Sequence, residues 1–196
     1  MSARRAPVAA TGIGLVVTAV GFHLGARPMH DKSFLTHLAT GRLILDTGIP
    51  RTDPYSFTAH GAGWTVQSWL PSLAYGLADR IGDHALVVLH GLVAAVLAAL
   101  LWRLSAAAPG LVARVAAVAP TLVSGAGLWA ERPFMVGLVA LAVTVLAVED
   151  ERVHPAWLVP VGWVWVNSHG TFPYGLLFLG LTWAGRRADG APTARV

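Results

Sequence analysis

Long apolar runs without charged side chains alternate with short polar segments along this chain. Between residues 6 and 26 there is no Asp, Glu, Lys or Arg, and a helix over 7–26 is long enough to cross a bilayer. Three further apolar runs follow at 84–102, 111–130 and 133–148, of which 111–130 is interrupted by Arg114 and Pro120. We predict a membrane span from each of these four runs. For the first run, a signal peptide cleaved near Ala26 is the alternative.

The last apolar run, 155–185, is uncharged and too long for one straight helix. It contains Pro160 and Pro173 on either side of the polar sequence Asn167-Ser168-His169-Gly170. We therefore predict two short helices that meet at this break. Non-helical backbone at membrane depth is tolerated only where protein buries it or water reaches it, so the break is a candidate binding region.

Segment 27–83 is more polar and is predicted to form a long first outer loop. Apolar positions recur with a loosely helical spacing over 31–46, and 67–78 has a similar character, which predicts two interfacial helices. Between them, YSFTA and WTV flank HGAG and predict a small β-hairpin. The predicted fold is an all-α membrane protein of about six transmembrane or half-membrane helices. It forms one domain over 1–196, made of the first span (7–26), the outer loop (27–83), the remaining spans (84–185) and a cytoplasmic tail (186–196).

Composition agrees with a membrane protein, because 55% of the residues are hydrophobic and only 12% are charged. This composition excludes a disordered chain, and the absence of Cys excludes disulfides and thiolate metal sites. The net charge of +4 is spread over the ends of the apolar runs, so we expect no nucleic-acid partner. The arginines instead predict a cytoplasmic N-terminus under the positive-inside rule. Those expected on the cytoplasmic side are Arg4, Arg5, Arg103, Arg114, Arg152, Arg186 and Arg187.

The pair His30-Asp31 follows the first predicted span on its outer side. Ionisable groups beside a membrane are costly to place, which makes them candidates for function. The Asp31 carboxylate is a candidate general base for an acceptor hydroxyl, with His30 beside it in a binding role. A divalent cation at Asp31 is compatible with this chemistry but is not implied by any ligand spacing. The alternative is that Asp31 caps the interfacial helix beginning at Lys32.

Four further segments contain candidate binding residues. Arg51 is a candidate phosphate ligand oriented by Asp53, or both belong to an exposed turn. Trp64 and Gln67, with Trp69, are candidates for a sugar- or lipid-facing wall, or the tryptophans anchor the chain at the interface. Arg132, in Glu131-Arg132-Pro133, is placed for a lipid-linked phosphate, unless Glu131 and Arg132 only form a wet turn. Asn167 and His169 either line a cavity or satisfy the backbone at the helix break. The histidine spacing predicts no metal site.

Three stretches resemble a family of bacterial multi-pass membrane proteins: DKSFLTHLATGRLILDTGIPRTDPYSFTAHGAGWTVQSWL, the RPF element, and WVWVNSHGTFPYG. The resemblance extends from Asp31 to Gly175. That family is similar to the C-type glycosyltransferases, which include protein O-mannosyltransferases and other enzymes that use polyprenyl-phosphate sugars. In such enzymes the catalytic Asp lies in the first outer loop soon after the first span, and Asp31 occupies the matching place. Arginines at the outer ends of spans contact the lipid phosphate, a role that the resemblance gives to Arg132 and secondarily to Arg51.

The resemblance implies transfer of a hexose or pentose from a polyprenyl-phosphate donor to an acceptor on the outer face of the bacterial cytoplasmic membrane. Many relatives have paired acidic residues where this chain has His30-Asp31, which leaves the identity of the base open. The superfamily commonly has more membrane segments than the six predicted here, so we expect a short or truncated member. A second membrane chain supplying further helices is then an expected partner, beside the bilayer and the lipid-linked donor. The alternatives are a non-catalytic membrane subunit or scaffold and a transporter.

Overall fold

The computed structural model describes residues 5–29, 31–129 and 132–193, and this part of the chain is helical without a β-strand. Its eight α-helices, in chain order, are α1 (Arg5–Gly25), α2 (Lys32–Thr47), α3 (Trp69–Ile81), α4 (Asp83–Leu104), α5 (Leu111–Leu128), α6 (Phe134–Glu149), α7 (Leu158–Val166) and α8 (Phe172–Ala188). Two short 3-10 turns precede α5 and α7. The all-α prediction is therefore confirmed for the described residues.

The predicted helical segments all form helices, but the number of membrane spans is not confirmed. α1, α4, α5 and α6 coincide with the four apolar runs, and α7 and α8 lie on either side of the predicted break. Within the described residues only two segments, Val8–Gly25 and His84–Ala107, are long and apolar enough to cross a membrane. α8 extends to Ala188, past residue 186, where the tail was predicted to begin.

α1 and α4 run antiparallel and pack closely because small residues face each other along their contact. A Cβ atom placed on Gly21 would lie 2.4 Å from Cβ of Ala98, and one on Gly14 would lie 2.5 Å from the indole nitrogen of Trp102. α6 packs against α4, and α7 and α8 pack in turn against α6. Pro120 lies inside α5, which packs against both α4 and α1.

α2 and α3 run in the same direction, since His37 lies beside Ser72 and Asp46 beside Arg80, and they cross at two glycines. A Cβ atom on Gly41 would lie 1.9 Å from the carbonyl oxygen of Ser72, so only glycine permits this approach. Arg42 donates to both carboxylate oxygens of Asp79 at 2.6 and 2.7 Å. A buried apolar cluster, formed by Phe34, Leu38, Tyr75, Ala78 and Leu86, fixes this helix pair to α4.

The loop between α2 and α3 contains one isolated antiparallel bridge, between Thr52 and Gly63, rather than the predicted β-hairpin. The backbone N–H of Asp53 donates to the carbonyl oxygen of Ala62 at 2.8 Å next to this bridge. The paired arms are therefore two short segments on either side of YSFTA. The prediction that YSFTA itself forms an arm was wrong.

Asp53 explains why YSFTA does not pair as a strand. Its carboxylate accepts hydrogen bonds from the backbone N–H groups of Tyr55 and Ser56 at 2.8 and 3.0 Å, and also from the Ser56 hydroxyl. These bonds form a turn immediately after the bridge, and Pro54 has no N–H to donate to a strand partner. The loop then contacts α2 through the hydroxyls of Tyr55 and Thr40, which are 3.1 Å apart.

The bundle has two chemically different ends. At the first, called the Asp31 end, the start of α2 meets the start of α6 and the turn between α7 and α8. At the opposite end, called the Arg103 end, Arg103 pairs with Asp150 at 2.8 Å and Arg186 pairs with Glu149 at 3.1 Å. The arginines predicted to share one side of the membrane thus include several that lie together at the Arg103 end.

Candidate functional site

The candidate site is built around an ion pair between Asp31 and Arg132, which are 101 positions apart in the chain. One carboxylate oxygen of Asp31 accepts the Nε–H of Arg132, and the other accepts the backbone N–H of Ser33 at 2.8 Å. Asp31 is therefore the N-cap of α2, which confirms the capping alternative. Its side chain is only 9% exposed, whereas the Arg132 side chain is 59% exposed.

These hydrogen bonds determine the charge of Asp31. The bond from Arg132, with a smaller contribution from Ser33, lowers the pKa of Asp31 from 3.8 to about 2, although burial acts in the opposite direction. The carboxylate is therefore ionised at neutral pH. While it is paired it is a weaker base than an ordinary aspartate, because a lower pKa means a lower proton affinity.

The Asp31–Arg132 pair predicts a specific pH dependence of stability. Because the pKa of Asp31 is lower in the folded protein, its contribution is fully present above the unfolded value of 3.8 and is lost as the pH falls towards about 2. We expect the difference in Tm between wild type and Asp31→Asn to be constant above that range and to shrink on acidification within it. In the Arg132→Gln background the same comparison should show much less pH dependence. A difference that grows on acidification would contradict this assignment.

Two partly buried histidines lie near the ion pair. The Nδ1 atom of His37, on α2, is 3.3 Å from the hydroxyl of the fully buried Ser72 on α3. Burial lowers the pKa of His37, and His169 lowers it further, while the charge of Asp31 raises it. Burial also lowers the pKa of His169. Both rings are therefore predominantly neutral at pH 7, and each can donate one hydrogen bond and accept another.

The break between α7 and α8 packs closely against the start of α6. His169 packs edge-on against Phe134 at the start of α6, with ring centroids 5.5 Å apart, and its Nδ1 atom lies 3.1 Å from the hydroxyl of Thr171. The same hydroxyl accepts the indole N–H of Trp165 at 3.0 Å. A Cβ atom on Gly137 of α6 would lie 2.5 Å from this oxygen, so α6 approaches the break closely.

The first residue of α3, Trp69, and Gln67 just before this helix also contact the break. The indole N–H of Trp69 donates to the side-chain oxygen of Asn167 at 2.8 Å, and the Asn167 amide donates to the carbonyl oxygen of Trp163 at 2.8 Å. Gln67 lies beside Gly170, where a Cβ atom would be 2.9 Å from the Gln67 amide nitrogen. Asn167 therefore satisfies a backbone group of the break, as one of the two readings of the sequence proposed, and joins α3 to it.

The structure brings five of the predicted site residues to the Asp31 end, and we call them, together with His37, the Asp31 cluster: Asp31, His37, Gln67, Arg132, Asn167 and His169. Three others, Arg51, Asp53 and Trp64, lie in the loop after α2. That loop contacts α2 at Thr40, nine residues beyond Asp31, or about 13 Å along the helix axis. Their predicted role in binding stays a prediction. His30 and Glu131 lie outside the described residues.

Sequence reasoning missed His37 as a site residue and gave Trp69 mainly an anchoring role. No short motif identifies His37, because its relation to Ser72 and His169 depends on the fold. The sequence predicts that Trp69 belongs to a sugar- or lipid-facing wall, but it does not predict the hydrogen bond to Asn167, which is 98 positions away. In both cases the contact that identifies the residue forms only when distant parts of the chain fold together.

Among the described residues, no group of three or more His, Cys, Asp or Glu side chains is placed to hold a metal ion. Comparison of the chain with protein-family models, with curated proteins and with solved structures found no match. The resemblance to glycosyltransferases therefore stays a prediction, and the function has to be argued from the geometry of the Asp31 cluster.

Proposed function

We propose that this chain is a membrane glycosyltransferase-like protein that transfers a sugar from a polyprenyl-phosphate donor to an acceptor hydroxyl at the Asp31 end. The observation that carries the proposal is the Asp31–Arg132 pair, in which an exposed guanidinium is bonded to a nearly buried carboxylate. In this proposal the Asp31 end faces the outer side of a bacterial cytoplasmic membrane, and the N-terminus is cytoplasmic. The partners are the bilayer, the lipid-linked donor and a second membrane chain.

Exposed apolar surface supports the membrane location. In the two candidate spans, only 22% and 39% of the residues are buried inside the protein, although both segments are strongly apolar. The core helix of a soluble protein would be mostly buried. Large apolar side chains are also exposed along the other helices, including Val123 on α5 and Leu181 on α8. So much apolar surface favours lipid over water as the surrounding medium.

Arg132 suits a lipid-linked phosphate. A guanidinium presents five N–H donors in a rigid fork that matches phosphate oxygens, and the Arg132 side chain is accessible. In the transfer, the acceptor oxygen forms a bond to the anomeric carbon while the bond from that carbon to the phosphate oxygen breaks. Asp31 accepts the proton of the acceptor hydroxyl. The prenyl phosphate leaves as an anion, which Arg132 stabilises.

The ion pair couples donor binding to the basicity of Asp31. While Arg132 donates to Asp31, it holds the pKa of the carboxyl at about 2. A donor phosphate that draws the guanidinium away returns this pKa towards its ordinary value. Asp31 then becomes a stronger base only when the donor is present. The neutral rings of His37 and His169, with Gln67 nearby, supply hydrogen-bonding groups for sugar hydroxyls.

A non-catalytic membrane subunit is the second candidate, and the N-cap favours it. Both carboxylate oxygens of Asp31 already accept hydrogen bonds. One bond caps the N-terminus of α2, and the other joins α2 to the start of α6. In such a subunit the Asp31–Arg132 ion pair would only fix α2 to the start of α6. The two candidates differ in whether lipid phosphate binds at Arg132 and whether a sugar is transferred.

Binding of a prenyl monophosphate tests the proposal directly. The full chain, reconstituted in phosphatidylcholine vesicles, is titrated with radiolabelled undecaprenyl phosphate. We expect Arg132→Gln to weaken binding about tenfold or more, because a hydrogen bond to a charged group contributes about 1.5–3 kcal/mol. Arg80→Gln is the matched control, since Arg80 also pairs with one aspartate and its side chain is 57% exposed.

Equal binding by wild type and Arg132→Gln would overturn the phosphate role of Arg132. Binding that depends on Arg132, without transfer from polyprenyl-phosphate sugars to a hydroxyl acceptor, would favour the non-catalytic subunit. A parallel fall in Arg80→Gln would mean that the probe responds to surface charge in general.

A further inference from the structure

The Arg103 end contains a cavity that the proposed sugar transfer does not use. It has a volume of about 430 Å³ and lies between the first half of α1, the end of α4 and the start of α5. Among the described residues that line it, three are arginines and none is acidic: Arg103, Arg114 and Arg152. Cavities of this size hold small-molecule ligands in many proteins.

Arg114 is held in place by the helix beside it. Its guanidinium stacks on the ring of the buried Trp102, 3.9 Å from the ring centroid. One of its nitrogens donates to the carbonyl oxygen of Trp102 at 2.7 Å, and another lies 3.4 Å from the hydroxyl of Ser105. Trp102 is itself packed on Gly14 of α1. This positive charge is therefore preorganised, and little side-chain entropy is lost when it binds an anion.

The positive charge around the cavity exceeds the negative charge. Asp150 pairs with Arg103 at 2.8 Å and also accepts the backbone N–H of Arg152 at 3.0 Å. The nearby Glu149 pairs with Arg186 on α8. Glu151, the neighbour of Arg152 in the chain, is a second carboxylate beside the cavity. Two carboxylates are thus set against three guanidinium groups, and the excess favours a ligand with one negative charge.

The cavity also opens onto an apolar surface. Leu15 is part of its lining and is 67% exposed. Next to the cavity along α1, Val8 and Val16 are exposed, as is Val112 at the start of α5. A ligand held here has its charge among arginines and apolar helices beside it, which matches the structure of a phospholipid.

We propose that this cavity binds the phosphodiester headgroup of an anionic phospholipid, whose acyl chains lie along α1 and α5. The inference rests on the membrane location in the proposed function but concerns the opposite end of the bundle. Basic pockets between membrane helices on the cytoplasmic side are suited to anionic headgroups. A soluble phosphate shares the anionic chemistry but leaves the apolar surface beside the cavity uncovered, so the lipid fits better.

Binding of an anionic phospholipid to the cavity can be measured by the lipids that the protein retains. The full chain is reconstituted in an equimolar mixture of phosphatidylglycerol and phosphatidylcholine, and the lipids retained after detergent extraction are counted by native mass spectrometry. Each arginine near an anionic headgroup contributes roughly fivefold in affinity. We expect wild type to retain phosphatidylglycerol preferentially, and the double variant Arg114→Gln, Arg152→Gln to lose roughly thirtyfold of that preference.

Two further variants keep the test falsifiable. Arg152→Gln alone leaves the stacking of Arg114 on Trp102 unchanged and should lower the preference several-fold in a normally folded chain. Arg187→Gln removes an exposed arginine on α8 that does not line the cavity and should retain the wild-type preference. Wild-type preference in the double variant, or an equal loss in Arg187→Gln, would overturn the proposal.

Inorganic phosphate distinguishes the two sources of the anion. Millimolar phosphate should not displace phosphatidylglycerol if the acyl chains contribute to binding, and displacement would assign the cavity to a soluble anion instead. Arg132→Gln separates this inference from the proposed function. It should lose affinity for undecaprenyl phosphate while retaining the phosphatidylglycerol preference.

Discussion

Replacing Gly41 with alanine is expected to separate α2 from α3 and to destabilise the protein strongly. The new Cβ atom would lie 1.9 Å from the carbonyl oxygen of Ser72 and 2.8 Å from the backbone nitrogen of Gly76. Both atoms belong to the backbone, so no side-chain rotation relieves the overlap and the helices have to move apart. Overpacking at buried positions costs about 1–3 kcal/mol, and backbone clashes can exceed this. A lower Tm for Gly41→Ala in detergent is the first measurement.

The second measurement follows the helices themselves. The chain contains no cysteine, so cysteines replacing the exposed Leu35 and Leu77 can be spin-labelled without interference. We expect the distance between the two labels to lengthen and its distribution to broaden in Gly41→Ala. Gly12→Ala is the control, because a Cβ atom on Gly12 meets no atom within 4 Å and alanine favours a helix by about 0.5–1 kcal/mol. Unchanged stability and label distance in Gly41→Ala would show that the two helices do not cross at the glycines.

The helices of this fold could be predicted from local sequence, because each corresponds to a physical signal within one segment. Apolar runs predicted α1, α4, α5 and α6, although the run of α5 is interrupted by Arg114. The long run with Pro160 and Pro173 predicted two helices, and Pro173 indeed lies in the first turn of α8, where proline is tolerated. The β-hairpin prediction failed because of the Asp53 side chain. Its carboxylate accepts hydrogen bonds from the backbone N–H groups of Tyr55 and Ser56 and directs the chain into a turn.

The candidate site could be predicted only in part, because its members meet through tertiary contacts. Residue type and position after a span singled out Asp31 and Arg132, but nothing local says that residues 101 positions apart form a pair. His37 lacks even a local signal. Its neutrality depends on burial between α2 and α3, which depends in turn on the close approach of Gly41 to the α3 backbone. The glycines in these two helices were the available clue to that crossing.

Replacing Asp31 with asparagine should reduce sugar transfer by about 10²–10⁴-fold, the usual contribution of a general base. Asparagine is as good an N-cap as aspartate, so the bond from the Ser33 N–H and the helical content of α2 should persist. What disappears is the negative charge that accepts the acceptor proton. Initial rates of transfer from a polyprenyl-phosphate sugar, measured with membranes containing equal amounts of each variant, give the ratio, and circular dichroism verifies the fold.

Asp46→Asn is the matched control for this experiment. Asp46 lies near the other end of the same helix and also pairs with an arginine, Arg80, at 3.0 Å, with its side chain 67% exposed. Its replacement should leave both transfer and undecaprenyl phosphate binding close to wild type. Asp31→Asn should lose transfer yet bind undecaprenyl phosphate at least as well as wild type, because Arg132 no longer has to leave a carboxylate to reach the phosphate. Transfer at the wild-type rate in Asp31→Asn would remove Asp31 from the mechanism. Asp31 would then have only the structural role of capping α2 and fixing this helix to α6.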